Sequence, residues 1–198
     1  MSRKLIAILR GITPAEAQTV ALTLIEAGIE WIEVPLNSPQ ALLSIQRMAK
    51  YSDKAHIGAG TVIDVAQVSQ VKQAGGSFIV SPNCDEAVIQ ETKALRMASY
   101  PGVFSPSECF AALRWGADAL KLFPAAVLQA DGVKALRAVL PADTLLYAVG
   151  GVDASDFVKW RAAGIDGFGI GTALYRPGMP YSEIQTQARQ LVLAYDVA

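Results

Sequence analysis

At 198 residues the chain matches one domain of the usual 100–200 residues. Hydrophobic residues make up 52% and charged residues 18%, enough for a large core and too apolar for intrinsic disorder. Seventeen Lys and Arg against eighteen Asp and Glu leave a net charge of −1 without any charge run, which argues against a nucleic-acid partner.

The first element is the apolar run Leu5–Leu9, too short before Arg10 to be the core of a secretory signal and the right length for a buried strand. Thr13-Pro14-Ala15-Glu16 then reads as a helix start: an N-cap, proline at the first helical position and a capping-box glutamate. Trp31–Leu36 forms the second strand and has Glu33 embedded in it. The longest stretch without a charge, Val34 to Gln46, begins here. It holds two prolines and falls short of the about 20 apolar residues of a membrane span, so no membrane partner is expected.

The third strand, Ile57–Val62, follows His56, the only histidine. One histidine cannot build a multi-histidine zinc or iron site, so no metal is expected. At a strand start His56 reads as a hydrogen-bonded structural residue rather than a catalytic one. Phe78–Val80 is the fourth strand and ends in Ser81-Pro82-Asn83; Tyr100–Phe104 is the fifth. Ser105-Pro106-Ser107-Glu108 repeats the cap, proline and glutamate pattern. The last three strands are Ala119–Phe123, with Lys121 inside, Leu145–Val149 and Phe168–Leu174. Cys84 and Cys109 are the only cysteines, too few for a disulfide framework, and a reducing cytoplasm is the expected location.

Helix-length segments separate these strands. Gly28, Gly75, Gly116 and Gly164 follow four of them at intervals of 47, 41 and 48 residues, about two strand–helix units each. A doubly wound sheet would carry its Gly-rich fingerprint after the first strand, where only Arg10-Gly11-Ile12-Thr13-Pro14 stands. Glycines crowd the last two strands instead, at Gly150-Gly151 and Gly167-Phe168-Gly169-Ile170-Gly171, where (β/α)₈ barrels bind phosphate. A single (β/α)₈ TIM-barrel domain over residues 1–198 is the expected fold.

In such a barrel the chemistry lies at the C-terminal strand ends. Arg10, Glu33, Thr61, Ser81, Asn83 and Lys121 are the polar residues there. A charge inside an apolar strand is costly unless partnered. Glu33 and Lys121 are therefore either a structural ion pair or a reactive lysine beside an acid. An ordinary lysine is neutral about once in 2,500 at pH 7, a penalty of roughly 4.6 kcal/mol. Apolar walls lower it, and a nearby Arg10 would add to the effect. A neutral amine attacks ketones to form an imine, an electron sink for an adjacent carbanion, and Glu33 is placed to move the protons.

These residues carry a resemblance. Ile8-Leu9-Arg10-Gly11-Ile12, Glu33 followed by Val34-Pro35-Leu36-Asn37-Ser38-Pro39, Gly58-Ala59-Gly60-Thr61-Val62, Ser81-Pro82-Asn83, Pro101-Gly102, Lys121-Leu122-Phe123-Pro124 and Gly150-Gly151 together resemble the class I aldolases of 2-dehydro-3-deoxy-6-phosphosugar acids. The match runs end to end and is nearest the phosphogalactonate branch. Relatives of the gluconate type usually carry an arginine where Asn37 stands, whereas the galactonate type has one at Arg10.

The resemblance implies Lys121 as the Schiff-base lysine and Glu33 as the general acid/base. Arg10 and Thr61 would hold the pyruvyl carboxylate, and Gly150, Gly151, Gly171 and Thr172 the phosphate of a phosphorylated sugar-acid substrate. It also implies no cofactor and a homotrimer; Phe110, Trp115 and Trp160, in predicted helices, are candidates for an apolar interface. Turn geometry alone would also account for the glycines, and a buried backbone hydrogen bond for Thr61. The chain departs from the pattern at Val103-Phe104-Ser105 and at Gln129-Ala130. Ser105 serves equally well as helix cap or substrate contact, and Phe104 would narrow the mouth. The same chemistry on the gluconate epimer or an unphosphorylated hydroxy-oxo acid, a phosphosugar isomerase or epimerase, and a non-catalytic binder all remain open from sequence.

Overall fold

Consecutive strand side chains point to opposite faces, and here both faces are largely apolar, as in a parallel sheet covered on both sides. The computed structural model describes residues 3–198. Its first half runs β1 (Leu5–Ile8), α1 (Pro14–Ala27), β2 (Trp31–Pro35), α2 (Ala41–Met48), β3 (His56–Gly60), α3 (Val65–Gln73), β4 (Phe78–Val80) and α4 (Glu86–Ala94). The second half runs β5 (Ala98–Tyr100), β6 (Gly102–Val103), α5 (Pro106–Arg114), β7 (Leu120–Leu122), α6 (Ala125–Arg137), β8 (Leu146–Val149), α7 (Phe157–Ala162), β9 (Gly167–Ile170) and α8 (Tyr181–Val197). The strands form one parallel sheet in the order β5-β4-β3-β2-β1-β9-β8-β7-β6, a TIM-like barrel wrapped by helices.

Nine strands stand where eight were expected. Proline has no N–H to give to a ladder, so Pro101 divides the fifth strand. The piece before it pairs with β4 and the piece after it with β7. The Pro101 carbonyl still accepts the Lys121 N–H at 2.9 Å, which carries the ring of strands across the break. The last strand is shorter than the apolar run suggested. It stops at Ile170, and the Gly171 carbonyl accepts the N–H groups of Leu174 and Tyr175 at 2.9 and 3.0 Å.

Helix boundaries follow the local signals. The Glu16 carboxylate accepts the N–H and hydroxyl of Thr13 at 3.2 and 2.7 Å, and Gly28 ends α1 at φ 94°. Gly75, Gly116 and Gly164 adopt the same left-handed conformation.

Two packed layers result. Outward-facing Ile32, Val34, Ile57, Leu120 and Leu122 are sealed under helix residues such as Val20, Leu24, Ile45 and Val68. Inside the barrel, Ile6, Ile8, Phe78, Val80, Tyr100, Tyr147 and Val149 form a second cluster. Inward glycines make room for large neighbours: a Cβ at Gly58 would overlap Phe78, and one at Gly167 would overlap Tyr147.

Two expectations from the helices and strand starts are corrected. Trp160 is buried at 3% exposure and belongs to the core, so it is no interface residue; Phe110 is exposed and Trp115 half-buried. His56 is exposed at the foot of β3, stacked on Trp31 with centroids 4.1 Å apart, rather than held by a hydrogen bond. It lies at the opposite end of its strand from Thr61. Among the described residues, no helix is long and apolar enough to cross a membrane.

Candidate active site

The C-terminal strand ends open onto a cavity of about 770 Å³. Arg10, Glu33, Thr61 and Lys121 line one part of it, brought there by β1, β2, β3 and β7. Gly150, Gly151, Gly171 and Thr172, following β8 and β9, line the other. The eight residues to which the resemblance gives catalytic or binding roles therefore share one space.

Period-two alternation decides which side chains enter it. Ile32 and Val34 are fully buried against helices, so Glu33 between them points into the barrel, where it is 2% exposed. By the same alternation Lys121, between Leu120 and Leu122, points inward at 7% exposure. The two make no ion pair within 4.0 Å, which removes the reading of a direct structural salt bridge.

Their electrostatics are set by burial. Desolvation pushes the Glu33 carboxyl up to about 7, against the pull of the Lys121 and Arg10 charges toward the ionised form. Burial also lowers the Lys121 ammonium, the Glu33 charge opposes this, and the Arg10 charge reinforces it. The Lys121 nitrogen lies 4.6 Å from the centroid of the Phe123 ring, two residues along the strand. An amine shifted toward neutrality thus faces the same cavity as a carboxyl able to exchange protons near pH 7. That is the equipment for imine formation and proton transfer at a carbonyl substrate.

Gly60 is the element that sequence reading undervalued. It stands opposite Pro35 in the β2–β3 register, and a Cβ there would occupy the position of the Glu33 carboxylate. The glycine is a space requirement, invisible without the neighbouring strand. Gly60→Ala is expected to displace the carboxylate and lower kcat by about 10²-fold. Steady-state kinetics on protein with unchanged circular dichroism checks this.

Arg10 and Asn37 are in contact: the Arg10 Nη1 donates to the Asn37 Oδ1 at 2.7 Å. The two positions on which the resemblance to one branch or the other turns therefore lie side by side at the mouth. Thr61 holds a left-handed φ of 57°, uncommon for a β-branched residue and a conformation that costs energy wherever it persists. On the far side Gly151 has φ 75°, and a Cβ there would fall 2.6 Å from the Ala126 Cβ at the start of α6. Only glycine lets the main chain turn so close to that helix.

Other expectations fall outside the cavity. Ser81 is buried and its N–H donates to the Tyr100 carbonyl at 3.2 Å, while the Asn83 carbonyl accepts the Gly102 N–H at the same distance. Only Pro82 between them reaches the cavity wall. Gln129 breaks α6 at φ 60° and borders a separate groove. Phe104 is 42% exposed and is not part of the lining, so it does not narrow the mouth.

Ser105 is a cap: its Oγ accepts the Glu108 N–H at 3.3 Å, and the Glu108 carboxylate accepts the Ser105 N–H at 2.7 Å. Ser105→Ala is expected to lower stability by about 1 kcal/mol in urea denaturation, with kinetic constants unchanged.

The lining also contains residues that the sweep of strand ends did not reach. Ile8, Val149 and Gly169 form an apolar floor, and Asp153 and Arg176 add charge beyond the last two strands. Alternation flags Ile8 and Val149, whereas nothing local marks Arg176. Among the described residues, no group of three or more His, Cys, Asp or Glu is placed to hold a metal ion.

Comparison with known proteins agrees with this geometry. Residues 1–181 match the family described as "Aldolase: KDPG and KHG aldolase". A probable 2-dehydro-3-deoxy-6-phosphogalactonate aldolase of Rhizobium meliloti (strain 1021) is 47% identical over 197 residues, covering 99% of this chain and 93% of the relative. The 2-dehydro-3-deoxy-6-phosphogalactonate aldolase of Escherichia coli (strain K12) is 44% identical, covering 96% of this chain and 94% of the relative. A solved structure described as "Native KDPGal structure" superposes with a TM-score of 0.98 at 43% identity, covering 100% of this chain and 96% of that one. With this barrel and these relatives, the chain belongs to the KDPG and KHG aldolase family and is an aldolase, a carbon–carbon lyase.

Proposed function

We propose that this single barrel domain cleaves 2-dehydro-3-deoxy-6-phosphogalactonate reversibly to pyruvate and glyceraldehyde 3-phosphate. The observation that carries the reading is the buried Glu33 and Lys121 facing one cavity, each moved by burial toward its neutral form.

The Lys121 amine adds to the C2 ketone and expels water, giving an iminium. Glu33 takes the C4 hydroxyl proton, directly or through one water, as the C3–C4 bond breaks. The bonding pair flows into the iminium, leaving an enamine, and glyceraldehyde 3-phosphate departs. Protonation at C3 and addition of water then release pyruvate and the free lysine. The iminium does the polarising, so the route uses no metal and no organic cofactor. Arg10 and Thr61 hold the carboxylate end, and the Gly150, Gly151, Gly171 and Thr172 segment receives the phosphate.

The galactonate preference rests on Arg10 beside Asn37 at the mouth and on the relatives at 47% and 44% identity, both named as phosphogalactonate aldolases. The gluconate epimer is the second reading, because the matching family includes KDPG aldolases; Asn37, where that branch usually carries arginine, counts against it. Pyruvate release from the two C4 epimers, followed with lactate dehydrogenase and NADH, decides between them. A higher kcat/KM for the galactonate epimer supports the proposal, and a higher value for the gluconate epimer replaces it.

We also propose a cytoplasmic homotrimer, supported by family resemblance and by exposed Phe110 and half-buried Trp115. Light scattering after size exclusion should return three times the 21.0 kDa chain mass.

A further inference from the structure

The cavity carries one cation with no part in the chemistry above. Arg10 and Lys121 belong to the carboxylate and imine end, and the third lining cation is Arg176, in the loop between β9 and α8. It follows Gly171 and Thr172 on the same wall. We propose that Arg176 is a binding and specificity residue, whose guanidinium closes on the phosphoryl group of the substrate; this rests on the function proposed above.

Three observations lead there. The first is charge balance. Apart from Arg10, Glu33 and Lys121 at the carboxylate and imine end, the charged lining residues among those described are Asp153 and Arg176. The Asp153 carboxylate is tied to Ser155 by the N–H at 2.8 Å and the Oγ at 2.6 Å, which holds it below the usual carboxylate range and keeps it charged. A phosphate monoester carries about −1.5 to −2 charges near neutral pH. Glycine N–H groups alone would leave that charge facing Asp153 uncompensated, and Arg176 supplies the missing positive charge.

The second is anchoring. Leu174 and Tyr175, just before Arg176, are buried at 0% and 2% exposure. Pro177, just after it, packs so closely on Gly11 that a Cβ there would lie 2.7 Å from the Pro177 Cγ. The backbone on both sides is therefore held, while the arginine side chain remains 63% exposed and free to turn.

The third is availability. Among the described residues the guanidinium's one ion-pair partner is Glu183, at 3.4 Å and 43% exposed, an arrangement of little strength in water. A phosphoryl group offers the bidentate acceptor geometry that guanidinium prefers, with more charge than a carboxylate.

The test compares Arg176→Gln with the parent enzyme on 2-dehydro-3-deoxy-6-phosphogalactonate and on the same sugar acid without phosphate. Expected is a fall of about 10- to 100-fold in the ratio of the two kcat/KM values, carried mainly by KM of the phosphorylated substrate. Glu183→Gln should move the ratio the other way by about 1.5- to 5-fold, because it releases the guanidinium. An unchanged ratio in Arg176→Gln, or an equal fall on both substrates, overturns the proposal. Calorimetric titration with inorganic phosphate separates it from the aldolase reading. Weaker phosphate binding in Arg176→Gln sustains Arg176 even if the parent shows no cleavage, and unaltered phosphate affinity rejects Arg176 while leaving imine chemistry at Lys121 intact.

Discussion

Lys121→Met is expected to lower cleavage by about 10⁴-fold or more, because the amine forms the bond on which every later step depends. Methionine keeps the packing of the buried stem while removing the nitrogen, so the loss does not arise from a cavity. The variant is also expected to gain about 1 kcal/mol of stability, since an ionisable group held at 7% exposure is replaced by an apolar one. Borohydride reduction in the presence of pyruvate, followed by peptide mapping, gives the direct readout. The parent should carry a reduced pyruvyl adduct on Lys121, and the variant none. An adduct on another lysine would move the nucleophile elsewhere. No adduct on folded parent protein would remove imine chemistry and bring forward a phosphosugar isomerase or a ligand-binding barrel.

Glu33→Gln is expected to lower kcat by about 10²- to 10⁴-fold and to change the pH profile. Proton abstraction from the C4 hydroxyl requires the carboxylate, and burial places that ionisation at about 7. The kcat/KM of the parent should therefore climb from pH 5 to pH 8 with its bend near 7, and glutamine should abolish that bend. A bend that survives in Glu33→Gln would assign the titration to another group.

The same shift has a stability consequence of defined sign. The folded value lies above the ordinary 4.5, so between these two pH values the folded state holds more proton than the unfolded state. The stabilisation is complete below about pH 4.5 and is lost as pH rises through 7, an effect on the order of 3 kcal/mol. Chemical denaturation of parent and Glu33→Gln at pH 5 and pH 8 should show the variant gaining relative stability at the higher pH.

Much of the catalytic end was legible because the cost of burying charge is a local statement. A glutamate in Trp31-Ile32-Glu33-Val34 and a lysine in Leu120-Lys121-Leu122 stand out as charges embedded in apolar strands, which must be partnered or functional. The helix punctuation at Thr13 and Ser105 was equally plain, because caps involve residues three apart. Arg176 was not legible, since an exposed arginine in a loop looks the same whether it faces solvent or a cavity.

The sequence by itself determined the alternation of strands and helices, the embedding of Glu33 and Lys121 in apolar strands, and the crowding of glycine after the last two strands. These depend on periods of two and 3.6 residues and on contacts within one turn of chain. Only the tertiary structure decided that Pro101 divides the fifth strand, that Trp160 is core and His56 is surface, and that Gly60 is empty space for a carboxylate. Only it placed Arg10 against Asn37 and Arg176 beside the glycines. Most of these depend on residues far apart in the chain, brought together by barrel closure and register, about which local periodicity carries no information.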